Sequence, residues 1–330
     1  MAVITVKNLG KRFNLEAGFF AGFGRFVYAV NDVSFSIDKN ESYGLVGESG
    51  CGKTTTARLL VRMYESDRGA VLFNDSTDVR RLKFGELKKY REKVKYVFQD
   101  PARSLNPRMT IHEVLVSGYR FSSRWPGKKQ ARAEAAAILE EVGLSEADLE
   151  RRPAEFSGGQ RQRISIARGL LMKPELLICD EVVSALDVSI QGQILNLLLE
   201  IKARHKLSFL FIAHDLKVAS YFCDRIGVMY RGELMEEAPA ENLYLNARHP
   251  YTRLLFSAVS RGPSGNAGGP ASGLPDEKAA AAPQGEVRPA TAEISGCAFA
   301  ERCPLAEGRC FRERPAMRET GGGLTRCHKV

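Results

Sequence analysis

Gly47-Glu48-Ser49-Gly50-Cys51-Gly52-Lys53-Thr54 fits the pattern G-x-x-x-x-G-K-[ST] at every fixed position. The residues before it, Tyr43-Gly44-Leu45-Val46, read as a short buried strand. Those after it, from Thr55 to Met63, carry no Gly or Pro and read as a helix. That strand–loop–helix context is what a phosphate-binding loop needs. Glycines let backbone N–H groups turn inward around phosphate oxygens, and the positive end of the following helix adds to the attraction. Lys53 supplies a mobile point charge for the outer phosphates, and the Thr54 hydroxyl is a ligand for Mg²⁺. A Gly-rich turn that binds nothing would not need a Lys-Thr pair at those two positions.

Outward from this loop the chain alternates strands and helices. Val3 to Lys7 and the set Val33, Phe35, Ile37 alternate apolar and polar residues, as half-buried strands do. Between them Gly18 to Gly24 reads as a loop. Ala70 to Phe73 and Val94 to Phe98 predict strands, and Phe84 to Glu92 a charged amphipathic helix. From Thr110 to Leu171 the period is helical, with helices over 131–142 and 160–172. Two runs, Leu176-Leu177-Ile178-Cys179 and Phe209-Leu210-Phe211-Ile212-Ala213, are apolar throughout, as buried parallel strands are. Ile190 to His205 between them predicts a helix, and residues 225–230 and 233–237 a hairpin around Arg231-Gly232. The expectation is an α/β protein with a mainly parallel sheet and helices on both faces.

Composition fits that class. The 330 residues are 44% hydrophobic and 26% charged, with a net charge of +9. The basic residues are spread along the chain, which reads as solvated surface rather than a nucleic-acid or lipid patch. No run approaches the ~18 apolar residues of a membrane helix. Met1-Ala2-Val3-Ile4-Thr5 lacks a basic region followed by an apolar stretch, so the chain is expected in the cytoplasm, with any membrane link made through partners.

Further polar groups fall where strands end. Asp180 closes an apolar strand, where a carboxylate can hold the water shell of Mg²⁺, and Glu181 next to it can accept a proton from an attacking water. His214 follows the next apolar strand, within reach of a γ-phosphate. Ser157-Gly158-Gly159-Gln160 opens a helix and makes a second anion-binding nest. One nucleotide does not need two cradles, so the economical arrangement is a head-to-tail dimer in which each nest caps the nucleotide of the other chain. Read in isolation, Ser157 is also a plain helix N-cap.

In this order these elements resemble the nucleotide-binding domain of an ABC transporter. The resemblance implies a P-loop NTPase of ABC type: a mixed, mainly parallel sheet, an antiparallel β subdomain and a helical subdomain at about 103–171. It implies ATP and Mg²⁺ as ligands, Walker A residues Gly47, Glu48, Ser49, Gly50, Cys51, Gly52, Lys53, Thr54 and Thr55, and a Q-loop glutamine at Gln99. Walker B ends in Asp180, with Glu181 as catalytic base. The signature is Ser157, Gly158, Gly159 and Gln160, the D-loop Ser184 to Asp187, and the switch histidine His214. Thr54, Gln99 and Asp180 are the implied Mg²⁺ ligands. Phe26 is taken as the aromatic that stacks on adenine, with Tyr28 and Phe23 as alternatives. Phe156 stands where the family usually has Leu before the signature, and Val182 where it has Pro after the glutamate. The loss of that Pro removes a stiffener of the backbone holding Glu181.

The loop sequence, Ser104 to Thr110, Ser184 to Gln191, His249-Pro250-Tyr251-Thr252 and the cysteine-rich tail resemble the oligopeptide/dipeptide permease branch, and its second, or F, ATPase subunit. That branch implies a partner ATPase subunit forming a heterodimer, two membrane-spanning permease subunits, an extracytoplasmic binding protein acting indirectly, a place on the cytoplasmic face of the inner membrane, and peptide cargo. Nickel, an oligosaccharide or an antimicrobial peptide are alternative cargoes. A soluble ABC ATPase acting on nucleic acid or ribosomes would carry two cassettes or a long coiled coil, and this chain has neither. A non-catalytic subunit would not keep Lys53, Asp180, Glu181 and His214.

The chain divides into residues 1–258 as the cassette, 259–292 as a linker rich in Gly, Pro and Ala, and 293–330 as a Cys-rich extension. Four of the seven cysteines, Cys297, Cys303, Cys310 and Cys327, lie in the last 34 residues at spacings C-x5-C, C-x6-C and C-x16-C. In a reducing compartment these read as metal ligands, and spacing alone leaves Zn²⁺ and a [4Fe–4S] cluster both open. The resemblance favours iron. A segment so short would owe its fold to that centre.

Overall fold

The computed structural model describes residues 1–14, 26–260, 290 and 294–330. The expected loop at Gly18 to Gly24 and nearly all of the linker lie outside them. Strand β1 (Ala2–Asn14) pairs antiparallel with β2 (Phe26–Asp38). β3 (Ser42–Val46) leads into the Walker A loop and α1 (Lys53–Leu60). β4 (Arg68–Phe73) and β5 (Thr77–Asp78) complete a four-stranded antiparallel sheet in the order β2-β1-β4-β5.

After α2 (Phe84–Lys93) and β6 (Val94–Val97) the chain leaves the sheet for four helices: α3 (Pro101–Ser104), α4 (Ile111–Tyr119), α5 (Lys128–Glu141) and α6 (Gly158–Leu170). Their starts are written in the sequence. The Asp100 side chain accepts from the N–H groups of Ala102 and Arg103, and Thr110 and Glu113 form a reciprocal capping box. The chain returns through β7 (Leu176–Asp180), α7 (Val188–His205), β8 (Ser208–Ala213), α8 (Leu216–Phe222), β9 (Arg225–Tyr230), β10 (Glu233–Pro239), α9 (Ala240–Asn246) and α10 (Pro250–Ser260).

The main sheet has the order β11-β12-β10-β9-β3-β8-β7-β6, where β11 (Arg318–Thr320) and β12 (Gly323–Thr325) come from the tail after α11 (Gly308–Arg312). β9, β3, β8, β7 and β6 run parallel. Alternate residues of the parallel strands face two different cores. Leu177, Cys179, Phe209 and Phe211 pack towards α4 to α10. Leu176, Ile178, Leu210 and Ile212 pack towards α1 and the antiparallel sheet. Both faces are covered, which is why these strands read as unbroken apolar runs.

The tail differs from expectation. A separate module organised round a metal is not supported by the described residues. β12 pairs antiparallel with β10, Thr325 opposite Glu236 and Leu324 opposite Glu237, so the tail extends the main sheet. Phe299 is fully buried against Tyr230 and Tyr251. Arg314 reaches Asp32 at 3.1 Å and the fully buried Glu233 at 3.1 Å. Backbone pairing, one aromatic anchor and ion pairs to the cassette supply the fold that a small apolar core could not.

Candidate nucleotide site

The parallel strands end level with one another. Val46 pairs with Ala213, Asp180 with Ile212 and Val97 with Cys179. The Walker A loop, Gln99, Asp180, Glu181 and His214 therefore all emerge at one edge, the carboxyl end of the sheet, where ligands bind in open α/β folds.

In the loop, Gly47 (φ 156°) and Gly52 (φ 108°) hold conformations that side chains rarely adopt. A Cβ on either would run into a carbonyl oxygen, of Met229 and Ala29 respectively. Ser49 and Gly50 are exposed at the loop's tip, and Cys51 is buried beneath it. Lys53, nearly buried, donates to the carbonyls of Gly47 at 2.7 Å and Glu48 at 3.0 Å. Its ammonium is thus centred in the loop.

The Thr54 hydroxyl donates to Asp180 Oδ1 at 2.9 Å, and the Tyr96 hydroxyl to Asp180 Oδ2 at 2.5 Å. Burial and the neighbouring carboxylate push the Tyr96 phenol well above its usual range, so it stays a donor. Gln99 Nε2 donates to Glu181 Oε2 at 2.7 Å. Glu181 itself lies at φ 48°, with its N–H on the Ile212 carbonyl at 3.1 Å. A non-glycine residue in that region is strained backbone at a candidate reacting group. Val182, in the place of the family's Pro, is buried in the helical-side core. Glu181, Ser184, Gln191, His214 and Asp215 line a small pocket, and His214 is exposed. The donor set suits a hard divalent cation: a hydroxyl and a nearly buried carboxylate with no lysine or arginine bonded to that carboxylate.

Ser157 caps α6, accepting from Gln160 N–H at 3.3 Å while Gln160 Oε1 accepts from Ser157 N–H at 2.9 Å. Gly158 and Gly159 pack beside Leu186 and Ile190, so the signature and D-loop form one surface. Ser157, Gly158 and Asp187 are exposed on it. Phe156 is buried with the Arg151 guanidinium 4.3 Å from its ring centre, which accounts for an aromatic there. Phe26 sits on β2 with the Arg12 guanidinium over its ring at 4.5 Å. Tyr28 bonds through its backbone to Ala290, and Phe23 lies outside the described residues.

The expected metal centre in the tail is not supported. Cys297, Cys303, Cys310 and Cys327 are free thiols, two of them buried and two half-buried. Burial pushes the Cys297 thiol up to about 11. Among the described residues no group of three or more His, Cys, Asp or Glu side chains is placed to hold a metal ion. Sequence reasoning also missed three contributors: Tyr96, Tyr251, whose hydroxyl accepts the Glu48 N–H at 3.1 Å, and Arg302, which pairs with Glu48. Tyr96 carried a signal as a phenol on the strand just before Gln99, and Tyr251 only as part of the His249 to Thr252 motif.

Comparison with known proteins agrees with this geometry. The family model described as ABC transporter matches residues 30–184, and the one described as oligopeptide/dipeptide transporter, C-terminal region, matches residues 235–310. The "Oligopeptide transport ATP-binding protein OppF" of Bacillus subtilis is 50% identical over 233 residues, 71% of this chain and 76% of that one. The "Probable peptide ABC transporter ATP-binding protein y4tS" of Sinorhizobium fredii is 41% identical over 322 residues, 96% of this chain and 86% of that one. Among solved structures, the dimeric ATP-binding cassette MJ0796 bound to ADP and Pi superposes with a TM-score of 0.63 at 28% identity, over 72% of this chain and 98% of that one. The chain belongs to the ABC transporter ATP-binding proteins, and within them to the oligopeptide/dipeptide transporter family. It is an ATPase of that type.

Proposed function

We propose that the chain hydrolyses ATP to power import of di- and oligopeptides through a membrane permease. The observation that carries this reading is the junction of Walker A and Walker B on one carboxylate, with Thr54 and Tyr96 both bonded to Asp180 and Gln99 holding Glu181 one residue on. Lys53 and the loop N–H groups bind the β- and γ-phosphates. Thr54, Asp180 and Gln99 would hold Mg²⁺, which would neutralise charge on the transferred phosphoryl group. Glu181 takes the proton of the attacking water, and His214 orients against the γ-phosphate. Phe26 stacks on adenine.

The signature, Ser157 to Gln160, covers nucleotide held by a second, homologous ATPase subunit, and that subunit's signature covers the nucleotide here. Asp187 lies at the same junction. Residues 100–110, directly after Gln99, meet the permease. The cassette is assigned to residues 1–258, with its helical part at about 103–171, and the extension to 293–330. Among the described residues no helix is long and apolar enough to cross a membrane, in keeping with attachment to the cytoplasmic face through two permease subunits. The names of the relatives and the match to the family's C-terminal region support peptide as cargo. Uptake of labelled peptide into proteoliposomes, with the chain, its partner ATPase, the permease and the binding protein, is expected to require ATP and to vanish with Lys53→Ala. Uptake of nickel instead of peptide would redirect the cargo, and uptake without ATP would overturn the ATPase reading.

A further inference from the structure

The C-terminal tail grips the phosphate loop. Arg302 places Nη1 at 2.9 Å from Glu48 Oε2 and Nη2 at 3.0 Å from Glu48 Oε1, a two-pronged pairing between residues 254 apart in sequence. Such forks are both stronger and more directional than single bonds. Nη1 also donates to the Tyr230 hydroxyl at 3.2 Å. Both partners are half-buried, with side-chain exposures of 29% for Arg302 and 15% for Glu48.

Glu48 is thereby held on every polar group it has. Its carboxylate is on Arg302, its N–H on the Tyr251 hydroxyl, and its carbonyl accepts from Lys53 Nζ. The residue whose carbonyl steers the phosphate-binding lysine is thus held by its side chain from outside the cassette and by its backbone from within it. A second tether runs beside it. Glu301 pairs with Arg231 at 3.0 Å, and the neighbouring Gly232 N–H bonds the Cys51 carbonyl at 2.9 Å. Phe299, buried between Tyr230 and Tyr251, sets the position of both.

We propose that Arg302 is a positioning residue for nucleotide: the tail pre-sets the phosphate loop through Glu48 and so tunes ATP affinity. The inference rests on the ATP-binding reading of the loop. A loop already held in its binding shape loses less freedom when phosphate arrives, so freeing it weakens affinity without touching the groups that do chemistry. ATP binding to the full chain, measured by equilibrium titration with a fluorescent ATP analogue, tests this. Arg302→Ala is expected to raise Kd about tenfold, with Arg302→Lys intermediate because an ammonium cannot make the fork. Glu48→Gln, which breaks the same pair from the loop side and leaves the tail intact, is expected to match Arg302→Ala. The double variant is expected to be no worse than either single one. In the assembled transporter Arg302→Ala is expected to raise KM for ATP while kcat is kept. Kd within twofold of wild type in both single variants, or additive losses in the double, overturns the proposal. Failure of the wild-type chain to bind the analogue, with Lys53→Ala no different, overturns the ATP-binding reading instead.

Discussion

At the scale of single residues, Asp180 shows how a site is made from ordinary parts. Its two oxygens accept from Thr54 and Tyr96, so the carboxylate is aimed before any cation arrives. Tyr96→Phe removes one of those bonds and leaves the strand packing intact. We expect the Mg²⁺ concentration for half-maximal ATPase to rise roughly tenfold to a hundredfold, as loss of an outer-shell hydrogen bond to a metal ligand gives, with little change in melting temperature. Titration of activity against Mg²⁺ checks it. His249 is a different case. It is buried, its Nδ1 accepts the Tyr251 N–H at 3.0 Å, and burial holds its pKa at about 3 against an ordinary 6.5. The folded chain therefore refuses a proton that the unfolded chain takes up. Stability is constant on this account above pH 6.5 and falls as pH drops from there towards 3, by at most about 1.4 kcal/mol per pH unit. His249→Asn keeps an acceptor for Tyr251 and is expected to flatten that part of the profile, measured by urea unfolding at pH 7.5, 6 and 5.

At the scale of elements, strand addition ties the cysteine-bearing tail to the main sheet. β12 lies on β10, and Arg314 spans from Asp32 to Glu233. Glu233 is fully buried and its carboxyl is already pushed up by that burial, so it depends on the guanidinium. Arg314→Ala leaves a buried carboxylate without its cation. The expected loss is about 2–4 kcal/mol of stability, partly restored by adding Glu233→Gln. Denaturant midpoints of the wild type and the two variants decide it. This docking was not legible in sequence. Three-residue strands carry no period, and Arg302 and Arg314 meet Glu48 and Asp32 from more than 200 residues away. By contrast, the strands bearing Leu176 to Cys179 and Phe209 to Ala213 were plain, because burial on both faces leaves no polar residue to blur the run. Helix starts with a side-chain cap, such as Ser157 and Thr110, were equally readable.

At the scale of the whole molecule, every candidate catalytic group sits at the carboxyl edge of the parallel strands, whereas the signature sits at the start of α6 on a surface shared with Leu186 and Ile190. The spacing of the motifs along the chain made this site legible, since each followed an apolar strand or opened a helix. What spacing could not reveal was which side chains aim them, because Tyr96, Tyr251 and Arg302 act through contacts made only in three dimensions. We propose that Glu181, held by Gln99 and next to Asp180, removes the proton during ATP hydrolysis. Single-turnover phosphate release from the assembled transporter, comparing wild type with Glu181→Gln, tests it most directly. We predict that the variant binds ATP, remains in a closed dimer with its partner subunit and releases phosphate at least about a hundredfold more slowly. Phosphate release at the wild-type rate would contradict the assignment.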